Sequence, residues 1–325
     1  MSGPSVVVSG ICKSFGTVVA LHEVSFTIDR GEVVGLLGPN GAGKTTMVDI
    51  LATLTRPDRG NAVVAGHEVQ AASADVRRSI MLTGQHVAVD NALTGRQNLV
   101  MFGRLQGLSK SGAKARTTEL IREFYLAEVA DRRVSTYSGG MRRRIDIACG
   151  LVVFPQVAFL DEPTTGLDPR SRQNLWNLIL RLKNAGIAVL LTTQYLEEAD
   201  ALSDRIIVID RGAVIAEGTA DKLKNLAGGT VCEIVPQNPI DRAAMIEALG
   251  PLLPKDNGAA LSSDSGRIAL PAPDGAHTLV DAVRRLDSAN LEVADVALRR
   301  PSLDDVFFAL TGESAAGSSA EDVVP

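Results

Sequence analysis

The pattern of apolar and polar residues predicts strands and helices in alternation. After three short β-like runs, residues 32–37 form an almost continuous apolar run, which is typical of a buried parallel strand. A helix is expected to begin near Gly43 and to stop at Pro57. The three short β-like runs are Val6–Val8, Val18–Leu21 and Val24–Ile28.

From about Thr94 to Pro155 the spacing of apolar residues becomes helical, and the alternation of strands and helices then returns. This alternation predicts an α/β fold with a mainly parallel sheet and helices on its faces. The expected elements are strands at 157–160, 187–192 and 205–210, and helices at 171–184 and 196–201.

A smaller α+β unit is predicted beyond a plausible linker at 226–229. Ser302 and Asp305 form a capping box, which predicts a last short helix there. The other expected elements are strands at 231–235, 267–270 and 291–298, and helices at 242–249 and 277–286. We therefore expect one domain at 5–225, with a helical subdomain at about 88–155, a second at 230–312, and a disordered tail at 313–325.

Composition narrows the class of protein. The 325 residues, 45% hydrophobic and 22% charged, suit a globular protein with one large and one smaller domain. The net charge of −5 provides no basic surface, so no nucleic-acid partner is expected. Cys12, Cys149 and Cys232 fit neither a disulfide framework nor a metal site, which favours a reducing cytosol. The longest apolar stretch, 149–160, is too short to span a bilayer.

A glycine-rich loop follows the apolar run at 32–37 and opens the predicted helix. Its glycines let the chain wrap around one anion with several N–H groups, and the helix N-terminus adds its dipole. Lys44 is expected to reach the β- and γ-phosphates, and the Thr45 hydroxyl to ligate Mg²⁺. We interpret the loop as a phosphate-binding loop rather than a structural turn. Its residues are Gly38, Pro39, Asn40, Gly41, Ala42, Gly43, Lys44, Thr45 and Thr46.

Two carboxylates, Asp161 and Glu162, end the apolar strand predicted at 157–160. Adjacent strand residues point to opposite sides, so the two have different surroundings. Asp161 suits a metal held through water, and Glu162 suits a general base acting on the water that attacks the γ-phosphate. Alone, such a pair would more simply be two solvated carboxylates, but the phosphate loop upstream favours the catalytic interpretation.

These motifs, together with Tyr137-Ser138-Gly139-Gly140-Met141, resemble in order and spacing the nucleotide-binding subunits of ATP-binding-cassette (ABC) transporters. The resemblance covers about residues 5–225. It implies a P-loop ATPase core with antiparallel β and helical subdomains, and ATP and Mg²⁺ as cofactors. It also implies that Ser138, Gly139 and Gly140 bind the γ-phosphate of ATP held by a second copy, so that a homodimer forms on ATP binding.

The resemblance implies roles for further residues. Phe15 is expected to stack on adenine, Gln85 to touch Mg²⁺ or the attacking water, and Asp168 to lie in a loop that crosses the dimer interface. Without the family, these would be a core phenylalanine, a surface glutamine and a turn. For the arginines at 142–144, a solvated or salt-bridging face is the favoured interpretation.

Gln194 stands where the family usually has a histidine that contacts the γ-phosphate. An amide can donate a hydrogen bond to phosphate, but it cannot carry a positive charge. Gln194 therefore joins Lys44 and Glu162 in the expected catalytic set. We expect ATP binding to survive and turnover to be modest.

Three stretches resemble the daunorubicin-resistance type of bacterial exporter, in which the ATPase is separate from its membrane permease. That type commonly carries Gln in place of His. It implies a subunit on the cytoplasmic face of the cell membrane that energises the export of anthracycline-type drugs or complex lipids. Our own hypothesis for the C-terminal unit is that it supports assembly or permease contact. The alternative is a non-transport or regulatory ABC ATPase with weak hydrolysis. The stretches lie at 137–144, 192–200 and 300–307.

Overall fold

The computed structural model describes residues 3–84, 89–226, 229–252, 267–303 and 305–307. The chain divides into two compact units, Met1–Ala220 and Asp221–Pro325. Gln85 and the tail predicted at 313–325 lie outside the described residues, and the domain limits inferred from the sequence stay predictions.

The elements of the first unit are, in chain order, β1 (Val6–Phe15), β2 (Val18–Ile28), β3 (Val33–Leu37), α1 (Lys44–Leu51), β4 (Arg59–Val64), β5 (His67–Glu68), α2 (Ser73–Ser79), β6 (Ile80–Thr83), α3 (Gly95–Leu105), α4 (Lys110–Glu123), α5 (Gly139–Gly150), β7 (Val157–Asp161), α6 (Pro169–Asn184), β8 (Ala188–Thr193), α7 (Leu196–Leu202), β9 (Arg205–Asp210) and β10 (Ala213–Gly218).

A mainly parallel sheet with the strand order β10-β9-β3-β8-β7-β6 forms the centre of this unit. Every pair is parallel except β9 with β10. All residues of β3, β7 and β8 are buried, which explains why these strands are continuous apolar runs in the sequence. Apolar clusters cover both faces, one containing Leu99 and Ile145 and the other Ile11 and Met47.

An antiparallel sheet with the order β2-β1-β4-β5 accompanies the central sheet. The sequence predicted three short β-like runs here, whereas the structure has two long strands that form one hairpin. The polar residues that separate the apolar runs lie on the more exposed positions of these strands. Shifts of register between Val8 and Ile11 keep the strands paired across these residues.

Helix α1 ends at Leu51, earlier than predicted. Thr53 has a left-handed backbone conformation, with φ of 66°. The N–H groups of Thr53 and Leu54 then turn back to the carbonyl oxygens of Ile50 and Asp49. These bonds close the last turn as helix-ending motifs do, several residues before Pro57.

Helix α8 (Ala220–Leu226) begins at the last residue of the first unit. The second unit continues with β11 (Val231–Pro236), α9 (Arg242–Leu249), β12 (Ile268–Pro271), α10 (Ala276–Ser288) and β13 (Val293–Arg299). Its antiparallel sheet has the order β12-β11-β13. The capping box is present, because Ser302 N–H donates to the Asp305 carboxylate and Asp305 N–H donates to Ser302 Oγ. In the described parts of both units, no helix is long and apolar enough to cross a bilayer.

Candidate functional site

The glycine-rich loop lies between β3 and α1, where close contacts require glycine at two positions. Gly43 has φ of 106°, and a Cβ there would stand 2.4 Å from the carbonyl oxygen of Ala20. A Cβ at Gly38 would stand 2.2 Å from the carbonyl oxygen of Ile209. The loop is thus pressed against neighbouring backbone, and its shape depends on the missing side chains.

Lys44 is buried at the centre of this loop. Its Nζ donates to the carbonyl oxygens of Gly38 at 2.7 Å and Pro39 at 3.0 Å, and lies 3.7 Å from Glu162 Oε1. Burial lowers the pKa of Lys44, while the charges of Glu162 and Asp161 act in the opposite direction. A buried ammonium of this kind is stabilised by anionic groups, and phosphate is one.

Asp161 is buried at the end of β7 and accepts two hydroxyl hydrogen bonds. Thr45 Oγ1 donates to Asp161 Oδ2 at 3.0 Å, and Thr192 Oγ1 donates to Asp161 Oδ1. Hydroxyl and carboxylate oxygens are the hard donors that Mg²⁺ prefers, and Mg²⁺ at phosphate sites needs only one or two such protein ligands. The pair therefore fits Mg²⁺, although no group of three or more His, Cys, Asp or Glu in the described residues could hold a metal alone.

Glu162 has a strained backbone, with φ of 45° in the left-handed region. Its N–H donates to both the carbonyl oxygen and Oγ1 of Thr192, at 3.1 Å each. These bonds hold a conformation that is rare for residues other than glycine. They leave the carboxylate beside Lys44, where a general base for an attacking water would be needed.

Gln194 belongs to the same edge of the sheet by the register of three neighbouring strands. Leu37 of β3 pairs with Thr193 of β8, and Asp161 of β7 pairs with Thr192. The phosphate loop, Glu162 and Gln194 therefore all follow the carboxyl ends of adjacent parallel strands. Gln194 is half-buried, in the short connection between β8 and α7.

The Ser-Gly-Gly turn forms the N-terminus of α5. Ser138 Oγ accepts a hydrogen bond from the N–H of Met141 at 3.3 Å and so caps the helix, while Ser138 and Gly139 are exposed. The buried Tyr137 hydroxyl donates to the carbonyl oxygen of Val129 at 2.6 Å and anchors the turn. Within residues 3–84 and 89–226, no hydrogen bond or ion pair joins this turn to the phosphate loop of the same chain.

Asp168 lies close to this turn and caps α6. Its carboxylate accepts hydrogen bonds from the Ser171 N–H at 3.0 Å and the Ser171 hydroxyl at 2.6 Å. These bonds, the hydroxyl first, hold the pKa of Asp168 below its usual value. A Cβ at Gly140 would stand 2.8 Å from Ser171 Oγ, so α5 lies close to the start of α6 at this glycine. The structure therefore brings together the turn and the predicted interface loop.

Phe15 is exposed at the tip of the β1–β2 hairpin rather than packed in the core. Lys13 Nζ lies 5.2 Å from the centroid of its ring and 2.9 Å from Asp58 Oδ1. Asp58 Oδ2 also accepts a hydrogen bond from the Ser14 N–H at 2.7 Å. An exposed aromatic ring on a hairpin that these contacts hold in place is suited to stack on a flat base. A phenylalanine packed in the core could not do so.

The sequence did not single out three contributors to this site. Thr192 binds both Asp161 and Glu162, and its only signal was a polar residue at the end of an apolar run. Asp58 had no signal at all. Arg143, expected on a solvated or salt-bridging face, does form an ion pair, at 3.7 Å from Asp146, but it is enclosed rather than solvated, with 11% of its side chain exposed.

This fold and this edge of the sheet define the class of protein: a P-loop nucleoside triphosphatase. Residues 21–165 match the family model described as ABC transporter. A doxorubicin resistance ATP-binding protein of Mycobacterium tuberculosis is 66% identical over 309 residues, covering 94% of this chain and 93% of the relative. A Nod factor export ATP-binding protein of a Rhizobium species is 37% identical, covering 96% and 98%.

Solved structures agree. An ATP-binding subunit of an ABC transporter superposes with a TM-score of 0.63 at 29% identity, covering 68% of this chain and 92% of that chain. A dimeric ATP-binding cassette bound to ADP and phosphate has a TM-score of 0.61 at 25% identity, covering 66% and 98%. The chain belongs to the ABC transporter family, among its ATP-binding proteins, and it is an ATPase.

Proposed function

We propose that this chain is the ATP-hydrolysing subunit that energises a separate membrane permease for the export of hydrophobic compounds, of the anthracycline type or complex lipids. The observation that carries the proposal is the 66% identity to a doxorubicin resistance ATP-binding protein, which extends over the second unit as well as the first. A daunorubicin/doxorubicin resistance protein of Streptomyces peucetius adds 48% identity over 97% of this chain. Attachment to the permease would hold the subunit at the cytoplasmic face of the membrane.

The site residues would act on ATP as follows. The N–H groups of the loop from Gly38 to Thr46 receive the phosphates, and Lys44 exchanges its carbonyl partners for the β- and γ-phosphates. Thr45 and Asp161 would hold Mg²⁺, which neutralises charge on the phosphates when bound. Glu162 takes a proton from the attacking water. Phe15 would stack on the adenine, with Lys13 on one face of its ring.

The Ser138-Gly139-Gly140 turn would serve a second copy of the chain. Its exposed helix N-terminus is suited to an anion, and no bond in the described first unit ties it to the chain's own phosphate loop. We therefore propose a homodimer with two ATP molecules, each between the phosphate loop of one protomer and the turn of the other. Asp168 would lie in the loop that crosses this interface, and Gln85 would touch Mg²⁺ or the attacking water.

Transport coupling is tested with a multi-span membrane permease of the drug-export type. ATPase activity of the full chain is measured alone, with the permease in lipid vesicles, and with the permease plus daunorubicin. We expect the permease to raise turnover and the drug to raise it further, since closure of the dimer is coupled to the permease. The same assay with a phosphate-loop variant of the chain provides the background. Equal turnover in all three conditions would instead favour the regulatory ABC ATPase.

Gln194 is the residue that we expect to limit the rate of ATP hydrolysis. A Gln194→His variant is expected to hydrolyse ATP about tenfold faster, because an imidazolium adds a charge-assisted hydrogen bond to the γ-phosphate that an amide cannot supply. Steady-state kcat checks this prediction, with KM for ATP expected to change little. A variant no faster than the wild type would show that Gln194 does not limit turnover.

A further inference from the structure

Arg143 is placed in the second turn of α5, on the helix that begins with the Ser-Gly-Gly turn. Its guanidinium reaches three backbone carbonyl oxygens: Gly84 at 2.7 Å, Pro163 at 3.1 Å and Asp161 at 3.3 Å. All three lie outside α5. Gly84 directly follows β6, and Asp161 and Pro163 are the two neighbours of Glu162 in the chain.

The two arginines beside it make a different kind of contact. Arg142 donates to the carbonyl oxygen of Ser135, and Arg144 donates to those of Phe124 and Tyr125. These acceptors precede α5 in the chain and are remote in sequence from the phosphate-binding edge. Of the three arginines, Arg143 therefore alone bonds to the backbone around Glu162.

The contacts of Arg143 hold the backbone on both sides of the strained residue Glu162. The carbonyl groups before and after Glu162 are both held by the guanidinium, and the Glu162 N–H is held by Thr192. The left-handed conformation of Glu162 is thus fixed from two directions. A planar guanidinium with five donors can bind three acceptors at once, whereas an ammonium cannot match that geometry.

Charges around Arg143 favour its burial. Asp146, one turn further along α5, has a carboxylate oxygen 3.7 Å away, and the charges of Asp161 and Glu198 also act on Arg143. Burial lowers the pKa of Arg143 and these carboxylates oppose the shift. A guanidinium remains protonated in proteins, so this link is permanent rather than pH-switched.

We propose that Arg143 is a positioning residue for hydrolysis: it fixes the carboxylate of Glu162 from the helix whose N-terminus serves the second protomer's ATP. Movement of α5 on contact with that ATP is then transmitted to the general base through the Arg143 side chain. The inference rests on the proposed function, since it assigns Glu162 as the base and Ser138-Gly139-Gly140 as the turn acting across the dimer.

The test compares Arg143→Met with Arg142→Met, which removes a guanidinium from the same helix without touching the backbone around Glu162. We expect Arg143→Met to lower kcat by about tenfold to a hundredfold, the cost of a misplaced catalytic group. KM for ATP is expected within about twofold of wild type, because the phosphate loop keeps its contacts. Arg143→Lys should recover part of kcat, and Arg142→Met should keep the wild-type value.

A double-mutant cycle separates positioning from general stability. In a Glu162→Ala background, measured by single turnover, Arg143→Met is expected to cause no further loss, because the group it positions is absent. A further loss equal to that in the wild-type background would overturn the proposal. If Arg143→Met fails to fold, Arg143→Lys enters the same cycle, with the melting temperature as the check on folding. Wild type without ATPase activity would refute the proposed function, whereas active wild type with an equally active Arg143→Met would refute this inference alone.

Discussion

A Glu162→Gln variant is expected to bind ATP with Mg²⁺ and to remain a dimer, with hydrolysis lower by about 100-fold to 10,000-fold, the range for loss of a general base. The amide keeps the size of the side chain and the backbone bonds to Thr192, but it accepts no proton. Light scattering with ATP and with ADP, alongside steady-state ATPase activity, checks both parts of the prediction.

The control for this variant is Glu197→Gln, which neutralises an exposed carboxylate on α7. It is expected to hydrolyse ATP at the wild-type rate and to dimerise no more persistently than the wild type. A Glu162→Gln chain that stays monomeric with ATP and Mg²⁺ would contradict the proposed two-site dimer. Undiminished hydrolysis would show that Glu162 is not the base.

Lys44→Ala is expected to lower kcat/KM for ATP by about 100-fold or more, because the variant lacks the buried cation that would neutralise the phosphates. Folding should survive, since a desolvated ammonium is removed together with its burial cost. ATP binding, ATPase activity and thermal unfolding are measured on the same preparation.

Lys183→Ala is the matched control for this variant, because Lys183 pairs with Asp204 in a partly exposed ion pair that contributes about 0–1 kcal/mol. Its ATPase activity should equal that of the wild type. Wild-type activity in Lys44→Ala would contradict the assignment of this loop as the phosphate-binding loop.

The sequence predicted the parts of the fold that have strong local signals. The strands β3, β7 and β8 are buried on both sides, so their apolar runs were easily recognised. Four short, partly buried elements were not predicted: β4, β5, β6 and α2. Strand β5 has only two residues, and it forms through its pairing with β4 rather than from a pattern of its own. Helix α1 was predicted too long because Thr53, which ends it, carries no helix-stop signal.

The residues of the candidate site also fall into two groups: those with a local signal in the sequence and those without one. Glycine spacing and the adjacent carboxylates identified the phosphate loop and Glu162, since these residues are contiguous in the chain. Thr192 and Arg143 act on backbone or carboxylate groups that are distant in sequence. Such contacts depend on strand register and helix placement, and a single sequence contains no local pattern for them.

The pairing of Asp161 with Thr192 has a consequence for folding fidelity. Successive residues of a strand face opposite sides, so a slip of β8 by one residue against β7 would turn the Thr192 hydroxyl away from the Asp161 carboxylate. A buried carboxylate would then lose a hydrogen bond, which is costly in an apolar interior. The group suited to hold the metal thereby also penalises misregistered chains, so the same contact that prepares the site for chemistry selects the correctly assembled sheet.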